Sequence, residues 1–133
     1  MQVLQPKGWK QPRGFSHGVA AEGTQVFVAG QIGWDANQQL ADDFAAQVRQ
    51  ALANTVAVLA EAGAKPEHIV RMNWFVTDKR DYIAAGKAIG AAYKEIIGPT
   101  FPAMTLLEVK SLLDDRAKVE IESTAVIPQG QSR

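Results

Sequence analysis

The stretch LANTVAVLAEAGAKPEHIVRMNWFVTD, residues 52–78, carries two periodicities in succession. Phe44, Val48, Leu52, Thr55, Val56 and Leu59 recur at spacings of three and four, the pattern of an amphipathic helix. Asp42 is placed to cap its start and Gly63 to stop it. Past Pro66 the pattern changes to HIVRMNWFVT, a strand of about eight residues rich in strong β formers. A helix running directly into a strand sets the theme for the residues on either side.

Upstream, FSHGVAAEGTQVFVAGQIG (15–33) reads as two short strands around a turn at Glu22–Thr24. The second, from Gln25 to Gly30, is apolar on both faces and is expected in a covered position of a sheet. GWDANQQLADD (33–43) is a polar loop. Downstream, a second helix is predicted from about Arg80 to Ile97, stopped by Gly98-Pro99. Ile83, Gly86, Gly90, Tyr93 and Ile97 fall on one face, and the two glycines would let that face lie close to a sheet. Further strands are expected at Thr105–Lys110 and Lys118–Val126. The order β-β-α-β-α-β-β implies one α+β domain over residues 1–133 with both helices on one sheet face. A polar tail from about residue 129 to 133 is expected to fray. The opposite sheet face then needs cover, and self-association supplies it most economically.

The 133 residues suffice for one domain that buries roughly two thirds of the surface of its unfolded chain. Fourteen basic residues balance fourteen acidic ones without a long run of either sign, so nothing marks a nucleic-acid or anionic-membrane partner. No cysteine is present, which removes disulfides, thiolate nucleophiles and cysteine metal sites. No apolar run approaches the ~18 residues of a membrane span, and MQVLQPKGWK does not resemble a signal peptide. A cytoplasmic protein is the expectation.

Glu120 and Glu122 alternate with Val119 and Ile121, so both carboxylates share a sheet face. Desolvation on such a strand favours the protonated form of a carboxylate, which suits proton transfer; solvation on an edge strand is the plainer alternative. His17 and His68 lack the spacing of metal ligands, and neither a metal nor a cofactor is expected. Trp34, directly after Gln31-Ile32-Gly33, is the aromatic best placed to line a pocket, whereas Trp74 belongs in the sheet. No glycine-rich phosphate loop occurs.

GFSHGV (14–19), VFVAGQIG (26–33), the 52–78 stretch and FPAMTLLEV…KVEIESTAV together resemble the RidA (YjgF) family over almost all of residues 13–128. The resemblance implies a chorismate-mutase-like fold, a homotrimer, and small-molecule clefts between neighbouring subunits. It also implies hydrolysis of reactive imines and enamines. In the family's deaminases an arginine that grips the substrate carboxylate occupies the place of Met104. A guanidinium offers two parallel donors and a charge, and a thioether offers neither. The family's tyrosine and serine are replaced by Phe15 and Ala29, and the asparagine of the second helix falls at Gly86. Glu120, which the resemblance implies activates water, is kept. So are Gly30, Gln31 and the backbone around Thr105 and Leu106 as cleft walls, with Ser16, Gly33 and Trp34 beside them. His17 is available to replace a lost polar group.

Two functions follow. One is a hydrolase for an imine, enamine or related small molecule lacking a free carboxylate, and not an efficient 2-iminopropanoate deaminase. The other is a non-catalytic small-molecule binder or sensor on the same trimer. Ribonuclease activity, an older description of the family, sits poorly with the charge balance.

Overall fold

The computed structural model describes residues 1–130; of the tail expected to fray, 131–133 lie outside the described residues. The elements are β1 (Gln2–Leu4), β2 (Gly18–Ala20), β3 (Gly23–Gln31), α1 (Phe44–Glu61), a 3-10 turn (Pro66–His68), β4 (Ile69–Val76), α2 (Lys79–Ala84), α3 (Gly86–Ile96), β5 (Ala103–Glu108) and β6 (Val119–Pro128). A four-stranded sheet runs β3-β6-β4-β5, with β4 and β5 parallel and the other pairs antiparallel. β1 and β2 form a separate ribbon.

Asp43, not Asp42, caps α1: its carboxylate accepts the amide of Ala46 at 2.7 Å. The helix ends at Ala62, and Gly63 turns the chain with φ 73°. Val48, Leu52 and Leu59 of α1 pack on Met72, Trp74 and Val76 of β4 and on Val119, Ile121 and Ala125 of β6, all buried. Ile89 and Tyr93 of α3 join the same core beside α1, so the two long helices cover one sheet face.

Four expectations are corrected. β2 pairs with the N-terminal β1 and not with β3 across Glu22–Thr24. β3 is an edge strand of the sheet, with Phe27 71% exposed, while the strand carrying Glu120 and Glu122 is central. The second helix breaks at Ala85 into α2 and α3. Tyr93 and Ile97 of the expected stripe are buried, with Ile89 and Ala92 beside them, while Ile83 is exposed and a Cβ at Gly86 or Gly90 would meet nothing within 4 Å. Those glycines border open space and no close sheet contact.

Strand alternation splits the chemistry between two faces. Met104 pairs with buried Met72 and packs against the core on the helix side. Glu120 pairs with Phe75 on the opposite face, which carries no helix among the described residues and exposes Phe27 and Leu107.

Candidate functional site

A β-bulge sets up the carboxylate. The pairing of β3 with β6 slips between Val28 and Gln31, so Ala29 and Gly30 together face one residue of β6. The side-chain amide of Gln31 donates back to the carbonyl of Ala29 at 3.1 Å and spans the irregularity. Gly30 thereby lies over Glu120 so closely that a Cβ there would collide with the carboxylate oxygen. Glu120 is half-buried and Glu122 exposed; Glu122 accepts a hydrogen bond from Asn73 at 2.9 Å.

Glu120, Gly30, Ile32, Trp34, Leu113 and Asp114 line a cavity of about 410 Å³. Two buried or half-buried amides of α1 hold its walls. Asn54 donates to the carbonyls of Trp34 (2.7 Å) and Ile32 (3.3 Å). Gln47, 1% exposed, donates to the carbonyls of Ala41 (3.0 Å) and Arg116 (3.2 Å) and accepts the amide of Lys118 at 2.8 Å. It clamps the loop after β3 to the loop before β6. Gly33 is needed beneath it, since a Cβ would stand 2.5 Å from the Gln47 Cα. Asp114 faces the same cavity with Arg116 2.9 Å away, and hydrogen bonds from that guanidinium hold its carboxyl below the usual range.

Met104 lines a second cavity, of about 330 Å³, with Trp74, Tyr82, Tyr93, Phe101, Gly86 and Gly90 among its walls and Arg13 at its margin. Tyr93 stacks on Phe101 with ring centroids 5.2 Å apart and donates its hydroxyl to the Thr100 carbonyl at 2.8 Å. Burial pushes the Tyr93 phenol well above its usual range. Trp74 meets Tyr82 edge to face at 6.0 Å, and its buried indole N–H finds no acceptor among the described residues.

The residues singled out from sequence therefore divide. Glu120, Gly30 and Trp34 share one cavity, and Met104 and Gly86 share the other. His17 and Phe15 border a third depression, where the His17 ring lies 5.3 Å from Phe15 and 5.0 Å from Trp9; His17 and Glu120 share no cavity in one chain. Ser16 is buried and spends its hydroxyl on the Phe101 carbonyl, while its amide donates to Pro102. Ala29 lies on the outer sheet face near Arg71 and Asn73. Thr105 is exposed on that face, and Leu106 packs against the core. Arg13, Gln47, Asn54 and Asp114 were not anticipated. Gln47 alone left a signal, as a polar side chain among the apolar positions of the helix stripe. No group of three His, Asp or Glu side chains among the described residues could hold a metal ion. No described helix is long and apolar enough to cross a membrane.

The chain is thus a small α+β domain with a carboxylate under a bulge on one sheet face and an apolar cavity on the other. The chain belongs to the family described as Endoribonuclease L-PSP, the RidA/YjgF family, whose model matches residues 9–127. It is 38% identical over 105 residues to the 2-iminobutanoate/2-iminopropanoate deaminase of Salmonella typhimurium, covering 78% of this chain and 80% of that protein. The crystal structure of the YjgF gene product of E. coli superposes with a TM-score of 0.71 at 34% identity, over 84% of this chain and 87% of that one. A Rid-family protein of Yersinia pestis, YyfB, gives a TM-score of 0.73 at 34% identity, over 95% and 98%.

Proposed function

We propose that the protein is a homotrimer that hydrolyses a reactive imine or enamine in clefts between neighbouring copies, with Glu120 activating water. The observation that carries this is the division of the site. Met104 and Glu120 line cavities on opposite sheet faces, so a cleft using both draws them from two copies. The helix-free face, with Phe27 and Leu107 exposed, is the surface that assembly would cover. A curated relative at 38% identity is named as an imine deaminase, which supports the reaction class.

In the proposed reaction Glu120 takes a proton from water as its oxygen attacks the carbon of the C=N bond. The proton returns to nitrogen to give a carbinolamine. Its hydroxyl proton then passes to nitrogen as the C=O bond forms and the carbon–nitrogen bond breaks, and ammonia and a carbonyl compound leave. The missing side chain at Gly30 lets the Glu120 carboxylate lie against the bulged backbone of β3 at the edge of the cavity. With Met104 where the family's deaminases hold arginine, 2-iminopropanoate lacks its usual anchor and is a poor substrate. The replacement of that arginine, together with Phe15 and Ala29, also favours a second reading, a trimer that binds a small metabolite without turning it over.

The test generates a panel of imines in situ and follows their decay and ammonia release with wild type and Glu120→Gln, alongside sedimentation equilibrium. Acceleration that is lost in Glu120→Gln, at three times 14.4 kDa, supports the hydrolase. A stable monomer at micromolar concentration, or full activity in Glu120→Gln, overturns it. A trimer that binds imine analogues and accelerates none is the binder.

A further inference from the structure

The cavity beside Met104 has a composition that water activation at Glu120 leaves unused. Trp74, Tyr82, Tyr93 and Phe101 give it aromatic walls. On its helix side Gly86 and Gly90 leave gaps beside Ile83 and Ile89, and a Cβ at either glycine would meet nothing within 4 Å. Packing inside the chain does not call for glycine at either position, and each weakens α3 relative to alanine. The space they leave lies outside the chain's own contacts.

The cavity also has a polarity. Among its lining residues Arg13 alone carries a charge, and no carboxylate faces it there. Arg13 is exposed and makes no hydrogen bond or ion pair with any described residue. A planar guanidinium at the margin of an aromatic cavity can pair with a carboxylate through two parallel hydrogen bonds while stacking on a ring.

We propose that this cavity selects a ligand with a flat apolar body and one carboxylate: the body lies over Gly86 and Gly90 of α3 between the aromatic walls, and the carboxylate pairs with Arg13. This rests on reading the cavity as one half of the imine cleft, and it specifies the substrate class for that cleft. The anion anchor moves from position 104, on the strand, to position 13, on the preceding loop. A two- or three-carbon acid leaves the aromatic walls uncovered, and a ring-bearing acid covers them and reaches the cation. The substrate class is thus an imine built on an aromatic or bulky apolar acid.

Calorimetric titration of the full chain with phenylacetate, acetate and phenylacetamide tests this without turnover. Phenylacetate is expected to bind at least about tenfold tighter than either of the others. Arg13→Gln should weaken phenylacetate about tenfold and leave phenylacetamide unchanged. Gly90→Leu, which fills the space over α3, should weaken both, with sedimentation confirming that the assembly is intact. Acetate binding as tightly as phenylacetate overturns the proposal, and so does indifference of phenylacetate to Arg13→Gln. Unchanged binding in Gly90→Leu, with loss of the assembly, also overturns it and assigns the cavity to the contact between copies. The two readings fail separately. Arg13-dependent binding with no imine accelerated refutes the hydrolase alone, and Glu120-dependent hydrolysis by Arg13→Gln at the wild-type KM refutes the Arg13 anchor alone.

Discussion

Replacing Gln47 by alanine removes three hydrogen bonds from a residue that is 1% exposed. The carbonyls of Ala41 and Arg116 and the amide of Lys118 each lose their partner. A buried group left unsatisfied costs about 1–3 kcal/mol. Water entering from the loop side offsets part of this, so the expected loss is about 3–5 kcal/mol, large for a single substitution. At this chain length that lowers the melting temperature by roughly 3–5 °C per kcal/mol. Gln47→Met separates clamp from packing: it keeps a side chain of similar length, loses all three bonds, and should fall between wild type and alanine by the packing it restores. The assay is urea unfolding at fixed protein concentration, read by tryptophan fluorescence, with imine turnover measured below the transition. Because the clamped loops carry Trp34, Leu113 and Asp114, catalytic efficiency should drop even where the variant is folded. A loss below about 1 kcal/mol with unchanged turnover would refute the view that this amide shapes the Glu120 cavity.

Met104→Arg should raise hydrolysis of 2-iminopropanoate by about one to two decades, the worth of a charge-assisted contact of about 1.5–3 kcal/mol; decay of the imine generated in situ checks it, and no gain means position 104 does not face the substrate. Gly30→Ala should displace the Glu120 carboxylate and lower kcat, with little change in phenylacetate binding by calorimetry. Asp78 caps α2, and hydrogen bonds from Arg80 depress its carboxyl from 3.8 to about 2. Its folded pKa lies below the unfolded one, so its contribution is present above about pH 4 and lost as pH falls toward 2. Asp78→Asn keeps the cap and should flatten that part of the acid-unfolding curve, most visibly at low salt.

The α+β class, the first helix and the strands of the main sheet were legible because each carries its period within a few turns of chain. What was not legible depends on partners far along the sequence. Gln2–Leu4 is too short to announce a strand, and its pairing with Gly18–Ala20 appears only in space. The apolar run of β3 gives no sign of whether it lies central or at an edge. Gly86 and Gly90 at i and i+4 suit a close-packed helix face as well as an open one, and only the packed chain shows that they border open space. The shared face of Glu120 and Glu122 followed from alternation alone, whereas the bulge that puts Gly30 over Glu120 requires the register of β3 on β6. The significance of Met104 came from family resemblance; its separation from Glu120 came from strand pairing. Arg13 had no local pattern to mark it.

The position of β6 bears on how the chain acquires its structure during synthesis. Val119–Pro128 lies between β3 and β4 and is hydrogen-bonded to both, yet the ribosome makes it after every other strand. Until it emerges, β3 has no neighbour in the main sheet, and β4 is paired only with β5. The nascent chain therefore holds helices and a parallel strand pair with open edges, and the decisive contacts span about a hundred residues between Gly23 and Pro128. Such long-range pairing slows folding and exposes strand edges to other chains in the meantime. A chain stopped before Val119 would keep most of its apolar residues and lose the strand that joins them, making it a substrate for chaperones and proteases.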